Sequence, residues 1–224
     1  MKKQVFHFLN ARAGLFAALM AVVALSGCAK NKDLDRISRE QAATIRSLSN
    51  EVARLNDELD KAIRSQEDLE KAKSELEAKL KSELGAGDMS LSLQERGLVL
   101  TVQDKVLFDS GKAELKQGSL QALAKIANIL QEKVGQNMVN VEGHTDNVPI
   151  RRSGWKSNWE LSTSRATEVI HFFIEQGLEP RRLAALGFAE FHPVAANDTA
   201  KGRGLNRRVE IVISPRKLEA LKKA

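Results

Sequence analysis

The sequence predicts an α/β (α+β) fold: a two-layer sandwich of one mixed sheet and helices, preceded by a long helical coiled-coil stalk. Three observations carry this. Residues 33–84 hold no glycine, proline or aromatic residue, while leucines recur every three or four positions. Residues 89–214 switch repeatedly between strand-like alternation and helix-like spacing of apolar side chains. Between the two, Gly85-Ala86-Gly87 forms a break, so residues 85–88 are expected to act as a hinge.

Ahead of the stalk, Lys2, Lys3 and Arg12 precede an uncharged apolar stretch over residues 13–25, closed by Leu25-Ser26-Gly27-Cys28. A basic start, an apolar middle and small residues at the cut make a secretory signal. The stretch is shorter than the roughly 20 apolar residues of a membrane span. The closing string resembles the lipobox of bacterial lipoproteins. That resemblance implies removal of residues 1–27, lipid on the Cys28 sulfur, and a short lipidated N-terminus over residues 28–32. Cys28 is the only cysteine, so no internal disulfide can form. The formal charge of +6 falls to about +3 once Lys2, Lys3 and Arg12 are removed, because no Asp or Glu precedes Asp33. So mild a balance argues against a nucleic-acid partner, which calls for a concentrated basic face. Tyrosine is absent and aromatic residues are few, which argues against stacking platforms as the main binding device.

With Ile45 at heptad position a, the stalk over residues 33–84 places Ile45, Val52, Leu59, Gln66, Lys73 and Leu80 at a. Position d then holds Leu48, Leu55, Ala62, Leu69, Leu76 and Glu83. β-branched residues at a with leucine at d favour a parallel pair of strands, so a homodimer through the stalk is expected. Gln66 and Lys73 weaken that seam. A lone helix, supported by pairs such as Glu67 with Lys71, is the competing reading. Either form spans about 75 Å at about 1.5 Å per residue.

In the C-terminal part, Met89, Leu91 and Leu93 alternate with polar residues, Glu95-Arg96-Gly97 makes a turn, and residues 98–102 return as a strand. Leu120, Leu123, Ala124, Ala127 and Leu130 have helical spacing. Val139 and Val141 begin a strand. Ala166, Val169, Ile170 and Phe173 form the inner stripe of a second helix that stops near Gly177. Pro180 opens a short turn, residues 183–188 form a strand, and Val209, Ile211 and Ile213 line one face of the last. Residues 215–224 form a basic C-terminal tail.

Four strings fall on this frame in order. Leu107-Phe108-Asp109-Ser110-Gly111 follows the hairpin, and Val141-Glu142-Gly143-His144-Thr145-Asp146 ends the next strand. Asn158-Trp159-Glu160-Leu161-Ser162 precedes Arg165-Ala166, and Asn206-Arg207-Arg208-Val209-Glu210 opens the last strand. Together they resemble the OmpA-like peptidoglycan-binding domain, found also in Pal lipoproteins and in the flagellar stator protein MotB. The resemblance spans residues 89–214 and implies an OmpA-like two-layer sandwich whose ligand is the peptidoglycan stem peptide at its diaminopimelate. It assigns Asp146 to the ligand's ammonium and Arg165 to its carboxylate, with Phe108, Asp109, Thr145, Asn158 and Leu161 at the pocket. The backbone amides of Phe108 and Asp109 would serve as donors. One anion and one forked cation a few ångströms apart suit such an end chemically. Asn158, Leu161 and Arg165 share a helix face that could cover the ligand. Residue types alone would favour a plain salt bridge between Asp146 and Arg165; the motif context reverses this. Residues 147–157 are longer than in many such domains and look more like MotB.

No metal or cofactor is expected. There are four histidines and no HExxH string, so His144 is read as structural and Arg207 and Arg208 as makers of internal salt bridges. No nucleophile elbow occurs, so no enzyme is predicted. The leading expectation is a lipid-anchored, periplasm-facing lipoprotein of the outer membrane that tethers it to the wall. The alternative is a MotB-like stator component, which needs a membrane helix with a buried carboxylate.

Overall fold

The computed structural model describes residues 2–151 and 154–215, with side chains from residue 32 onward. The side chains of the expected signal peptide, the Cys28 side chain and the tail beyond Pro215 are not described. Among the described residues no helix is long and apolar enough to cross a membrane. The chain divides into two units, Met1–Asp57 and Glu58–Ala224.

Helix α1 runs over Lys2–Lys79, followed by α2 over Lys81–Gly85. In the first unit its apolar residues Leu34, Ile37, Ile45, Leu48, Val52 and Leu55 are all exposed. Ile45 to Leu55 follow the expected seam at alternating intervals of three and four.

In the second unit the same helix behaves differently. Ser65, Leu69, Ala72, Leu76 and Leu80 are buried, and the apolar four join the core that also holds the sheet. The expected stalk therefore does not run free to a hinge at residues 85–88; its last turns are part of the domain. The cause lies in the seam's weak points. With Gln66 and Lys73 at a, the apolar stripe shifts to the adjacent positions of Ser65 and Ala72, whose small side chains let the helix approach closely. Leu84 also packs against the core, so the residues before Gly85 are fixed.

Strands β1 (Met89–Gln94) and β2 (Gly97–Gln103) form the predicted antiparallel hairpin. Gly97 at its turn has φ +124°, and a Cβ there would sit 2.0 Å from the Ile213 carbonyl oxygen, so only glycine fits. There follow α3 (Asp104–Leu107), α4 (Gln117–Glu132), β3 (Val139–His144), α5 (Asn158–Glu175), a 3-10 turn (Pro180–Arg182), β4 (Leu183–Gly187), α6 (Ala200–Asn206) and β5 (Arg208–Ile213). The sheet order is β1-β2-β5-β3-β4. Only β3 and β4 pair in parallel, joined through α5 as a crossover helix. Leu98, Leu100, Val102, Val139, Val141, Val209, Ile211 and Ile213 share the core with the buried faces of α4 and α5.

Helices α3 and α6 had no counterpart in the sequence reading, being too short to show a period. The α4 stripe is rotated from the expected one: Ala122, Ile126 and Ile129 are buried, while Leu120 and Ala124 are only partly so. Docking of α1 yields a direct expectation. Leu76→Ala should lower the domain's unfolding free energy by about 2–5 kcal/mol, and Leu48→Ala should leave that transition unchanged, as read by urea unfolding followed by circular dichroism.

Candidate functional site

The sheet presents two groups of charged side chains. The first gathers where β2, β3 and α5 deliver Asp104, Asp146 and Arg165, with Arg207 supplied just before β5. Asp146 follows β3 directly. Its Oδ1 accepts the Val148 backbone N–H at 3.0 Å, a local turn, and its Oδ2 accepts from Arg207 Nη1 at 2.5 Å. Arg207 Nε also faces Asp104 Oδ1 at 3.6 Å. The other Asp104 oxygen accepts from Arg165 Nη1 at 3.2 Å. Charges thus alternate in the order Arg165, Asp104, Arg207, Asp146.

Helix α5 is placed by its own first residues. The Ser157 hydroxyl accepts the Trp159 N–H at 3.2 Å and meets the Glu160 carboxylate, capping the helix. Asn158 donates from Nδ2 to the carbonyls of Asp146 at 3.3 Å and Val148 at 3.2 Å, tying the loop after β3 to the helix. A Cβ on Gly143 would lie 2.1 Å from the Ser162 carbonyl oxygen, so glycine there lets β3 and α5 touch backbone to backbone.

The plain salt bridge between Asp146 and Arg165, the competing reading of that pair, does not form. Asp146 and Arg165 belong to one network but are not each other's partner, because Asp104 and Arg207 stand between them. Arg165 is only 3% exposed and its donors are engaged: Nε gives to the Lys112 carbonyl at 2.9 Å and Nη2 lies 3.5 Å from the Asp109 carbonyl. Its guanidinium carbon sits 5.1 Å from the centre of the Phe108 ring, a cation–π contact. Asn158, Leu161 and Arg165 do share a helix face, but that face is buried rather than open. Phe108 is buried and its amide already donates to the Asp104 carbonyl at 2.8 Å, so it is not a free donor. Thr145 is buried, its hydroxyl donating to the Asp146 carbonyl at 2.9 Å. Asp109 is the expected site residue with a well-exposed side chain, held between Lys112 at 3.6 Å and Lys116 at 3.4 Å.

Burial pushes the Asp104 carboxyl above its ordinary value, although Arg165 and Arg207 pull the other way. Burial likewise lowers the Arg165 guanidinium, opposed by Asp104. Sequence reasoning missed Asp104 altogether and gave Arg207 no place beside Asp146. Each link, Asp104 to Arg165 and Asp146 to Arg207, spans 61 residues, so no local spacing announces it. A cleft of about 360 Å³ is lined by Ala113, Glu114, Trp155, Thr163, Ser164, Thr167 and Glu168, and none of the four network residues is among its lining. Trp155 is fixed there by its indole N–H to the Gly111 carbonyl at 2.9 Å.

The second group lies on the sheet face opposite the helices. Glu142 and Glu210 are direct cross-strand partners, an arrangement that repels unless neutralised. Arg96 bridges both, 2.6 Å from Glu142, and Arg208 Nε holds Glu210 Oε1 at 2.5 Å. Burial raises the Glu210 carboxyl, but Arg208 and Arg96 outweigh it and hold the group below its ordinary value. His144 is stacked on Phe188 at 5.2 Å, and neither ring nitrogen has a hydrogen-bond partner among the described residues. Glu142, His144 and Glu210 bring three possible ligand atoms within 4.8 Å of one another. Both carboxylates are already held by guanidinium groups, so the cluster is electrostatically complete without a cation.

Residues 107–207 match the OmpA family. Among curated relatives, the chain is 39% identical to "Motility protein B" of Bacillus subtilis over 67% of this chain and 58% of that protein. It is 35% identical to "Probable lipoprotein YiaD" of Escherichia coli over 62% of this chain and 61% of that protein. The chain therefore spans less than two thirds of either relative. Among solved structures, the cell wall anchor of the T6SS from Pseudomonas aeruginosa superposes with a TM-score of 0.58 at 33% identity, covering 63% of this chain and 97% of that one.

Burial of His144, with the Arg208 guanidinium nearby, pushes its pKa from 6.5 down to about 4. The unfolded imidazole therefore takes up a proton at higher pH than the folded one. The contribution is fully present above pH 6.5 and is lost as pH falls toward 4, on the order of 3 kcal/mol in all. Urea unfolding between pH 7 and 4 should show this slope in the native sequence, and His144→Phe should lack that component.

Proposed function

The chain belongs to the OmpA family, and from that premise we propose that it binds peptidoglycan non-covalently through the diaminopimelate of the stem peptide. On this reading it is a tether and not an enzyme. The carrying observation is Asp146: a carboxylate at the end of β3, held in place by Val148 and Asn158 around it, whose cationic partner among the described residues is the half-exposed Arg207. An ammonium group arriving from solvent would find there a fixed anion with a movable counter-ion. Arg165 then serves as a positioning residue, shaping the loop of Asp109 and Lys112 through their carbonyls. The likeness to a protein described as a cell wall anchor supports the ligand class.

The finer part of the proposal concerns the membrane. Cys28 in its lipobox-like string, and a relative named as a probable lipoprotein, support a lipid-anchored protein facing the periplasm from the outer membrane. The exposed seam from Ile45 to Leu55 supports a homodimer through α1. A second reading, a MotB-like stator component of the inner membrane, is favoured by the similarity to a motility protein. Residues 1–32 hold no Asp or Glu, so a membrane helix over those residues would lack the carboxylate that an ion relay needs.

Asp146→Asn should reduce co-sedimentation with purified peptidoglycan sacculi by about tenfold or more, the loss of a charge-assisted contact. Binding at the native level would remove Asp146 from the site. Arg165→Ala is a poor probe, because it leaves the buried Asp104 with only its long contact to Arg207, a loss of up to about 3–5 kcal/mol. Mass spectrometry of the mature protein separates the two membrane readings. An N-terminal Cys28 carrying acyl chains is expected, whereas an intact Met1 start would favour the stator component.

A further inference from the structure

Phe108 and Phe173 are buried in the core, yet Trp159 is 48% and Phe191 62% exposed. Their rings stack on each other, with centroids 5.4 Å apart and planes 23° from parallel. Two large rings paired in solvent form an apolar ledge, and a surface of this kind calls for an occupant. Its two halves come from the first turn of α5 and from the loop after β4, and one hydroxyl joins them. Ser162 is fully buried; its Oγ donates to the Trp159 carbonyl at 3.0 Å and accepts the Ala189 N–H at 3.1 Å. Ala189, two residues before Phe191, holds a left-handed φ of +48° although it is not glycine. Backbone strain of this sort collects where a loop presents a side chain to a ligand. The ledge also borders Asp146. The Ala189 carbonyl accepts the N–H of Thr145 at 2.9 Å, one residue before Asp146. Asn158, one residue before Trp159, donates to the Asp146 carbonyl at 3.3 Å.

We propose that Trp159 and Phe191 form a platform for a sugar ring of the glycan strand that carries the stem peptide. This goes beyond the stem-peptide reading given above and rests on it. A pyranose has an apolar face of C–H bonds and a rim of hydroxyl and amide groups. The face packs on the rings. Lys156 and Glu160 near Trp159 in the chain, and Glu190 and His192 on either side of Phe191, supply polar groups for the rim. Such a ledge matches one sugar in size, whereas a stable protein interface covers roughly 800 Å² on each side. The stem peptide fixes the sugar's whereabouts: three extended residues span about 10 Å, so a diaminopimelate held at Asp146 keeps its sugar in this neighbourhood. Composition argued against stacking as the main binding device; here it is a second contact, added to charge.

Isothermal titration of the full chain tests this, comparing a stem tripeptide with the same tripeptide carried on its disaccharide of N-acetylglucosamine and N-acetylmuramic acid. The native sequence should bind the disaccharide form about tenfold more tightly, the scale of one aromatic contact. Phe191→Ala and Trp159→Ala should each bring that form down towards the bare tripeptide, with binding of the bare tripeptide unchanged. Phe191 lies on a loop and carries the test if Trp159→Ala does not fold. Tryptophan emission gives a separate readout, because the chain's two tryptophans are Trp155 and Trp159. The disaccharide form should shift it more than the bare tripeptide does, and Trp159→Phe should abolish that difference. Equal affinity of the native protein for the two ligands overturns the proposal and leaves the stem-peptide reading standing. A preference that survives both alanine substitutions also overturns it, because the sugar then rests elsewhere. A preference lost in Phe191→Ala, with Asp146→Asn binding normally, upholds the platform and removes the stem-peptide reading. Failure of the native protein to bind either ligand defeats both.

Discussion

Two carboxylates and two guanidinium groups packed against the sheet are tolerable only because every charge has opposite neighbours. Desolvating an unpaired ion costs several kcal/mol, and attraction in a partly buried site recovers that only with good geometry. Asp104 shows the arrangement most clearly. It lies between Arg165 and Arg207, and its own backbone N–H donates to the Arg207 carbonyl at 3.0 Å. Main chain and side chain thus bring the end of β2 and the approach to β5 to the same point. Asp146 is then positioned from both sides, by Arg207 through charge and by Asn158 through the loop carbonyls.

The same principle acts on the opposite face of the sheet with a different outcome. Glu142 and Glu210 face each other across β3 and β5, and Arg96 from the hairpin turn closes the pair. This group locks the hairpin to the central strands and buries His144 as a neutral ring. One face of the sheet holds a network with a movable member, and the other holds one that is saturated. Donor use, more than exposure, separates the two groups: Arg96 is 42% exposed and Arg207 39%, but Arg96 spends all three nitrogens on Gln94, Glu142 and Glu210.

The fold was legible wherever a period could express itself. The hairpin, α4, β3, α5 and β5 all follow from alternating or helical spacing, and the break at Gly177 ends α5 as anticipated. Short elements without a full period, α3 and α6, were invisible. The residues of the site were partly legible through their strings, but their partners were not. Asp104 meets Arg165, and Asp146 meets Arg207, only because the sheet order sets β5 between β2 and β3 and α5 crosses beside them. Burial was also beyond the sequence: a string can name Arg165, yet only packing against Phe108 and three backbone or side-chain acceptors makes it a scaffold rather than a hand. The end of α1 taught the same lesson, since leucines at heptad spacing look alike whether they meet a second helix or the flank of a sheet.

The seating of Leu69, Ala72, Leu76 and Leu80 in the domain core has a mechanical meaning. Tension entering from the N-terminal side does not arrive at a swivel. It meets a dry joint first, and that joint must shear before the hairpin or the charged network feels strain. The seat of the helix in the domain core is thus distinct from the candidate ligand site, so attachment on the N-terminal side and hold on a ligand are separable properties.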